Sequence, residues 1–162
     1  MAKNKITILK NGIDVFGKKI EILINGEIIQ KISENIDESR FENNENTKII
    51  DIEEKLVMPG VIDVHTHMRE PGITYKEDFT TGSRACAKAG ITTFYDMPNT
   101  IPTTTTLENL LEKKKLAREK SIVNFGFHFG GSKNDNVEEI KKVLSSGEAN
   151  TVKIFMNVTT GE

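Results

Sequence analysis

From Lys55 onward, short apolar runs alternate with amphipathic segments, and this alternation limits the possible folds more than any other feature of the chain. The apolar runs predict strands and the amphipathic segments predict helices, in the order β-α-β-α-β-α-β. Strands joined by helices form parallel sheets, because a crossover lets the next strand run in the same direction. We therefore predict a parallel α/β fold with strands near residues 56–64, 91–97, 121–127 and 150–155.

Two architectures share this order of elements, a small open sheet and part of a (β/α)8 barrel. A closed barrel needs eight strands and typically about 250 residues. The chain has 162 residues, so the barrel interpretation makes it about half of one.

The first fifty residues differ from this pattern, since they carry short β-rich runs broken by Asn-Gly and Phe-Gly pairs. Asn25-Gly26 predicts a two-residue type I′ turn, because Asn and Gly best tolerate positive φ at both central positions. The runs IEILI and EIIQKI should therefore pair as a hairpin. We predict a separate β-rich module over residues 1–54.

The amphipathic segments carry ordinary helix signals. Gly90 and Gly147 each stand where a helix should end before a strand. In the segment 107–120, a stripe of leucines should face the sheet while the charged residues form a solvated face; the stripe comprises Leu107, Leu110, Leu111 and Leu116. Cys86, the single cysteine, predicts a small packed helix residue and excludes a disulfide framework.

Composition excludes several classes of function. A formal net charge of -2 and a pI near 6.0 leave no excess of positive charge for phosphates, so we expect no nucleic-acid partner. No apolar run approaches the roughly 18 residues that span a bilayer, and the first residues lack the apolar core of a secretory signal. We expect a cytoplasmic protein that does not bind membranes.

Two histidines end the first predicted strand of the α/β region, in Val64-His65-Thr66-His67. Residues i and i+2 of a strand point to the same side, so both imidazoles could reach one metal ion. Such a pair also arises by chance on surface strands. However, α/β folds place their active sites at this end of the sheet, and we therefore predict metal binding by His65 and His67.

Arg69 lies one strand step beyond the histidines and could face the same cavity, where its guanidinium would hold an anionic group through two hydrogen bonds. Asn99 follows the second predicted strand at the same edge, and its amide can both donate and accept. A surface ion pair for Arg69 and a simple Pro-Asn turn at Asn99 are the alternatives. His128, after the third strand, is better interpreted as a packing residue, and Asp96 could serve a structural hydrogen bond.

Lys153 stands between apolar residues in the fourth predicted strand. A lysine in a buried strand must lose its charge, find a partner or be modified, because a bare ammonium is costly in a low dielectric. Addition of CO₂ to the neutral amine would give a carbamate, an anionic ligand able to bridge two metal ions. The alternative is an edge-strand lysine that reaches solvent.

The stretches PGVIDVHTHMREPG and TYKEDFTTGSRACAKAGITTFYDMPNTIPTT resemble the dihydroorotases, which are cyclic amidohydrolases of the amidohydrolase superfamily. The resemblance is close over about residues 56–105 and extends in layout to the whole chain, including a β-rich module before the barrel. It implies that residues 55–162 form the first half, about four βα units, of a TIM-like (β/α)8 barrel.

The resemblance also implies an activity, the zinc-dependent reversible hydrolysis of dihydroorotate to N-carbamoyl-aspartate in pyrimidine synthesis. It implies that His65 and His67 bind one of two zinc ions, that a CO₂-derived carboxylated Lys153 bridges both, and that Arg69 and Asn99 hold the substrate carboxylate. Family members supply two further histidines and a catalytic aspartate from later strands. We therefore expect the 162-residue chain alone to be inactive, and a missing C-terminal half or a complementary chain to complete it.

Other interpretations stay open. Allantoinases resemble the same stretch but differ at Arg69, and hydantoinases lack the pairing of REPG with MPNT. A non-catalytic homologue that serves as a scaffold is a third alternative. A homo-oligomer is compatible with each of these interpretations. Histidine and carboxylate ligands also suit manganese or cobalt.

Overall fold

The computed structural model of the chain describes residues 5–41, 43–132, 135–157 and 159. They belong to two compact units, Met1–Pro59 and Gly60–Glu162, each with its own apolar core. The sequence placed this boundary a few residues earlier, between residues 54 and 55. Within the described ranges, no helix is both long enough and apolar enough to cross a membrane.

The first unit is a four-stranded sheet in the order β3-β2-β1-β4. β2 pairs antiparallel with both β1 and β3, whereas β4 runs parallel to β1. Its buried side chains include Ile6, Ile8, Leu23 and Ile36. The strands are β1 Ile6–Ile13, β2 Lys19–Asn25, β3 Ile28–Ser33 and β4 Thr47–Asp51.

The predicted hairpin between β2 and β3 is confirmed, but its turn differs from the prediction. Asn25 pairs with Ile28, so the two loop residues are Gly26 and Glu27. Of these only Gly26 has a positive φ, at 63°. A type I′ turn needs positive φ at both positions, so the type I′ assignment on Asn25-Gly26 is wrong. The glycine supplies the left-handed residue, and Asn25 ends the strand.

The second unit confirms the predicted parallel α/β order. β5, β6 and β7 form a parallel three-stranded sheet, and β8 pairs in parallel with β9. In chain order the elements are β5 Val61–Thr66, α1 Phe79–Lys88, β6 Ile91–Asp96, α2 Leu107–Lys120, β7 Asn124–Phe127, β8 Phe129–Gly130, α3 Val137–Ser146 and β9 Val152–Lys153.

Several strand bounds differ from the prediction. β5 begins at Val61, not at residue 56, because Leu56 lies in the first unit, where it forms an isolated bridge to Ile13. The third predicted strand, at residues 121–127, begins only at Asn124 as β7, and the separate two-residue strand β8 follows His128. β9 is only two residues long, and Ile154 beside it is 67% exposed. The expectation of a buried fourth strand is therefore wrong for the described chain.

Aromatic side chains between the sheet and its helices make most of the second core. Phe79 of α1 and Phe94 of β6 are fully buried, and their ring centroids lie 6.2 Å apart. Phe127 meets Phe79 edge-on at 6.0 Å. Aromatic contacts of this kind stabilise a core beyond the area that they bury. Cys86 is buried in the same cluster, which confirms its structural interpretation.

Helix α2 corrects the predicted stripe. Leu110 is fully buried as expected, but Leu111 is 42% exposed. Lys113, which the sequence assigned to the solvated face, has no exposed surface. Its spacing explains this, because residues 110, 113 and 117 follow one face of a helix at intervals of three and four.

Candidate functional site

The candidate site lies just past the carboxyl ends of β5 and β6. Two hydrogen bonds continue the pairing of these strands beyond Thr66. The Met97 amide donates to the Thr66 carbonyl at 3.0 Å, and the Met68 amide donates to Asp96 Oδ1 at 2.7 Å. His67 stands between these two anchors, so its backbone position is fixed from both sides.

Burial alternates along this segment. Met68 and Glu70 are each 4% exposed, whereas His67 and Arg69 are half-buried. Met68 and Glu70 thus point into the protein, whereas His67 and Arg69 keep part of their surface exposed.

The two histidines are neighbours. Their ring centroids lie 5.5 Å apart with an interplanar angle of 55°. His67 Nδ1 lies 3.0 Å from Asn99 Oδ1, and Asn99 Nδ2 donates to Thr159 Oγ1 at 3.1 Å. With the Asn99 amide in this orientation its oxygen accepts, so Nδ1 of His67 donates and Nε2 keeps a free lone pair. In this tautomer Nε2 is available as a metal ligand.

The electrostatics also favour a neutral imidazole. Burial lowers the pKa of His67 below its ordinary value, the adjacent Arg69 guanidinium lowers it further, and the bond to Asn99 opposes both effects. A histidine that stays neutral at lower pH remains available as a ligand.

Arg69 has a backbone conformation that is unusual for a residue other than glycine, with φ at 60°. Its carbonyl accepts from the Ile73 amide at 3.0 Å, which closes the turn that follows. Its Nη1 is buried, and within the described residues it has no hydrogen-bond partner. A buried guanidinium nitrogen without a partner suits an anionic ligand.

Glu70 anchors the loop that carries Arg69, between β5 and α1 and here called the Arg69 loop, to two helices. Its carboxylate accepts from the Phe79 amide at 3.0 Å, at the start of α1, and forms an ion pair with Lys120 at the end of α2. A negative charge at a helix N-terminus is favourable. The sequence gave this residue no role, and its burial is what reveals one.

The Arg69 loop also packs closely on the loop that carries Asn99. The Ile101 amide donates to the Pro71 carbonyl at 3.1 Å. A Cβ atom added to Gly72 would lie 2.1 Å from the Ile101 carbonyl oxygen, and Gly72 has a φ of 87°. Only glycine allows this approach.

Beneath both loops lies a buried ion pair. Lys113 Nζ is 2.7 Å from Asp96 Oδ2 and donates to the Met97 carbonyl at 2.8 Å. Both side chains are fully buried. Burial lowers the pKa of the Lys113 ammonium, and the Asp96 carboxylate opposes that effect. Asp96 thus has the structural hydrogen-bonding role that the sequence allowed for it.

Two remaining candidates lie at the other strands. His128 bonds through Nδ1 to Thr151 Oγ1 and through Nε2 to the Val64 carbonyl, both at 2.8 Å. These contacts agree with a structural role. Lys153 Nζ lies 5.2 Å from the Phe155 ring centroid. Since β9 is short and partly exposed, burial does not force the amine of Lys153 to be modified.

The histidine pair fits a zinc ion. Two imidazoles on one tetrahedral zinc, with Zn–N near 2.1 Å, have ring centroids roughly 5 Å apart, close to the separation found here. Among the described residues, no group of three or more His, Cys, Asp or Glu side chains could hold a metal. The two imidazoles are thus near enough to share one metal ion, but the described residues do not complete a metal site around them.

Comparison with known proteins places this geometry in a family. The sequence profile of the amidohydrolase family matches residues 56–161. The chain belongs to the amidohydrolase family. A dihydroorotase from Methanosphaera stadtmanae is 40% identical over 155 residues, which make up 96% of this chain and 34% of that protein. An allantoinase from Streptomyces avermitilis is 40% identical over 101 residues, 62% of this chain and 22% of that protein.

Solved structures support the fold. An L-hydantoinase from Arthrobacter aurescens superposes with a TM-score of 0.76 and 35% identity, covering 86% of this chain and 31% of the hydantoinase. This amidohydrolase chain therefore has the fold predicted for it, part of a TIM-like barrel preceded by a β-rich module. It spans about a third of the length of the curated relatives that it matches.

Proposed function

We propose that this chain forms part of a dihydroorotase, a zinc-dependent cyclic amidohydrolase that reversibly converts (S)-dihydroorotate to N-carbamoyl-L-aspartate in pyrimidine synthesis. The observation that carries the proposal is the guanidinium of Arg69, which lies beside His67 with a buried nitrogen that no described residue satisfies. Dihydroorotate is a cyclic imide with a carboxylate, so it supplies both a ring to open and an anion for Arg69.

Each candidate residue has a separate task in this proposal. His65 and His67 would hold one metal ion, with Nε2 of His67 as donor, and a carboxylated Lys153 would supply an anionic oxygen ligand to the metal centre. When bound, zinc polarises the scissile carbonyl and acidifies the attacking water. Arg69 binds the substrate carboxylate and thereby orients the ring. Asn99 fixes the tautomer of His67, and its Nδ2 could exchange Thr159 for the same carboxylate.

The alternatives within the family differ in whether the substrate ring carries a carboxylate. A hydantoin ring has no carboxylate, so a hydantoinase would leave Arg69 without a ligand. Allantoinase-type and hydantoinase-type proteins are both similar to this chain, and the two histidines do not separate them. Arg69 favours dihydroorotase because leaving a buried donor unsatisfied costs about 1–3 kcal/mol.

Catalysis by the full site requires groups that the described residues lack. In this proposal two further histidines and a catalytic aspartate come from elsewhere in the complete enzyme, and residues 55–162 supply the first barrel half. We expect the 162-residue chain alone to show no turnover with zinc and bicarbonate. Turnover near that of the full-length relatives would contradict this.

Metal binding tests the first part of the proposal. Titration of the chain with Co²⁺, followed by its visible absorption, should show a nitrogen-ligated site that His65→Ala and His67→Ala each abolish. His128→Ala is the matched control, because it removes a histidine whose two ring nitrogens are already bonded within the fold. Binding that depends equally on all three histidines would contradict the assignment.

Substrate choice tests the second part. The chain can replace the matching segment of the Methanosphaera stadtmanae dihydroorotase, and the chimera can be assayed with dihydroorotate, hydantoin and allantoin. Arg69→Met should lower kcat/KM for dihydroorotate about 100-fold, from the loss of about 3 kcal/mol of charged hydrogen bonding. Arg84→Met, at an exposed position of α1, is the control. An unchanged kcat/KM in Arg69→Met would exclude the role given to this residue.

A further inference from the structure

Lys113 reaches from α2 to the underside of both loops of the candidate site. Its Nζ donates to the carbonyl of Met97, two residues before Asn99, and pairs with Asp96. The other carboxylate oxygen of Asp96 accepts from the amide of Met68, next to His67. The Lys113 ammonium is thus linked directly to the segment that carries Asn99 and, through Asp96, to the segment that carries His67. His67 and Asn99 are themselves hydrogen-bonded to each other.

Burial makes this arrangement rigid. Lys113 and Asp96 have no exposed surface, and Lys113 Nζ lies 5.2 Å from the centroid of the Phe127 ring. A buried ion pair contributes little net stability compared with apolar residues of similar size, because desolvation offsets the attraction. It does, however, fix the positions of the groups that satisfy it, since any displacement would leave a charge unpaired.

We propose that Lys113 is a positioning residue that, through Asp96 and the Met97 carbonyl, holds His67 and Asn99 in the geometry of their hydrogen bond. The link to zinc rests on the proposed function, whereas the link to the His67 tautomer does not. Without the ammonium, the buried Asp96 carboxylate loses its charged partner and the Met97 carbonyl loses its donor. The hold of Asp96 on the Met68 amide then weakens.

The test compares four variants of the 162-residue chain. Lys113→Met removes the ammonium, and Asp96→Leu/Lys113→Met replaces the pair by apolar side chains that keep the core filled. Leu110→Ala removes a fully buried apolar side chain from the same face of α2 and leaves the ion pair intact. Lys114→Met removes a lysine from the same helix whose partner, Glu148, lies outside the site.

Two readouts separate positioning from mere stability. Long-range ¹H–¹⁵N spectra of the histidine rings report the tautomer of His67, and Zn²⁺ titration reports affinity. We expect the wild type, Leu110→Ala and Lys114→Met to hold His67 in the Nδ1-protonated form. Lys113→Met and the double variant should show mixed tautomers and bind zinc about 10-fold more weakly, the lower end of the effect of losing such support.

The double variant decides the outcome. If it folds and keeps a single Nδ1-protonated tautomer, the proposal is overturned. It is also overturned if the double variant does not fold, because the pair would then serve folding itself, or if Leu110→Ala changes the tautomer equally. A wild-type chain that binds no zinc but shows the variant-dependent tautomer would contradict the proposed function and support the positioning role.

Discussion

Replacing Gly72 by alanine tests how tightly the Arg69 loop is held against the loop of Asn99. The added Cβ would lie 2.1 Å from the Ile101 carbonyl oxygen and 2.6 Å from the Ile101 Cβ. Neither is the far end of a flexible side chain, so the backbone must move. Gly72 also has a φ of 87°, in the left-handed region that alanine avoids.

The magnitude follows from these two effects. A left-handed conformation costs a residue other than glycine about 1–2 kcal/mol, and forcing extra atoms into a packed contact costs about 1–3 kcal/mol. Gly72→Ala should therefore lower the free energy of unfolding by about 2–5 kcal/mol. Gly90→Ala is a matched control in the same unit, because Gly90 has a φ of 78° but no atom within 4 Å of an added Cβ. It should lose only about 1–2 kcal/mol.

Urea denaturation of both variants measures the difference, and NMR titration of the histidines adds a readout at the site. Arg69 contributes to the lowered pKa of His67. Displacement of its loop should therefore bring the pKa of His67 closer to its ordinary value in Gly72→Ala and not in Gly90→Ala. Equal losses of stability in the two variants, with the same pKa for His67, would refute the packing argument.

Two further predictions concern ionisable side chains. The pKa of His67 is lowered in the folded chain, so the unfolded chain takes up this proton first as the pH falls. The free energy of unfolding should therefore decrease between about pH 6.5 and the folded pKa, and urea denaturation across pH 4–8 should show no such decrease from this group in His67→Gln. Glu70→Ala leaves the Phe79 amide and Lys120 without their acceptor and should lower the free energy of unfolding by about 1–3 kcal/mol. Glu148→Ala breaks a more exposed pair with Lys114 and should lower it by no more than about 1 kcal/mol. Equal losses in the two variants would contradict this prediction.

The sequence predicted the fold where local signals and periodicity agree. Gly90 and Gly147 have the positive φ values expected where helices end, and the parallel order of β5, β6 and β7 follows from the β-α alternation. The start of β5 could not be predicted, because the run from Leu56 to Val61 is uniformly apolar although the boundary between the two units falls within it. Long-range strand pairing, not local propensity, sets that boundary.

At the site, the sequence identified the side chains proposed to bind a ligand and missed those that support them. His65 lies near the end of β5, and His67, Arg69 and Asn99 follow the ends of β5 and β6, where α/β folds place their ligands. Lys113 was assigned to solvent because charge usually indicates exposure. Its place between Leu110 and Ala117 on one helix face indicates burial instead. A buried lysine needs a partner, however, and only the fold brings Asp96 near enough to serve as one.

The geometry of Arg69 links these supporting groups to substrate choice. In the proposed function the histidine pair does not separate the members of the family, so discrimination for a carboxylated ring is assigned to the guanidinium of Arg69. A residue with positive φ persists only when its surroundings hold it. Here Met68 is anchored to Asp96 on one side and Glu70 to the start of α1 on the other, so Arg69 lies between two buried anchors. If Arg69 binds the substrate anion as proposed, its position depends on Asp96 and on the start of α1, which hold its neighbours.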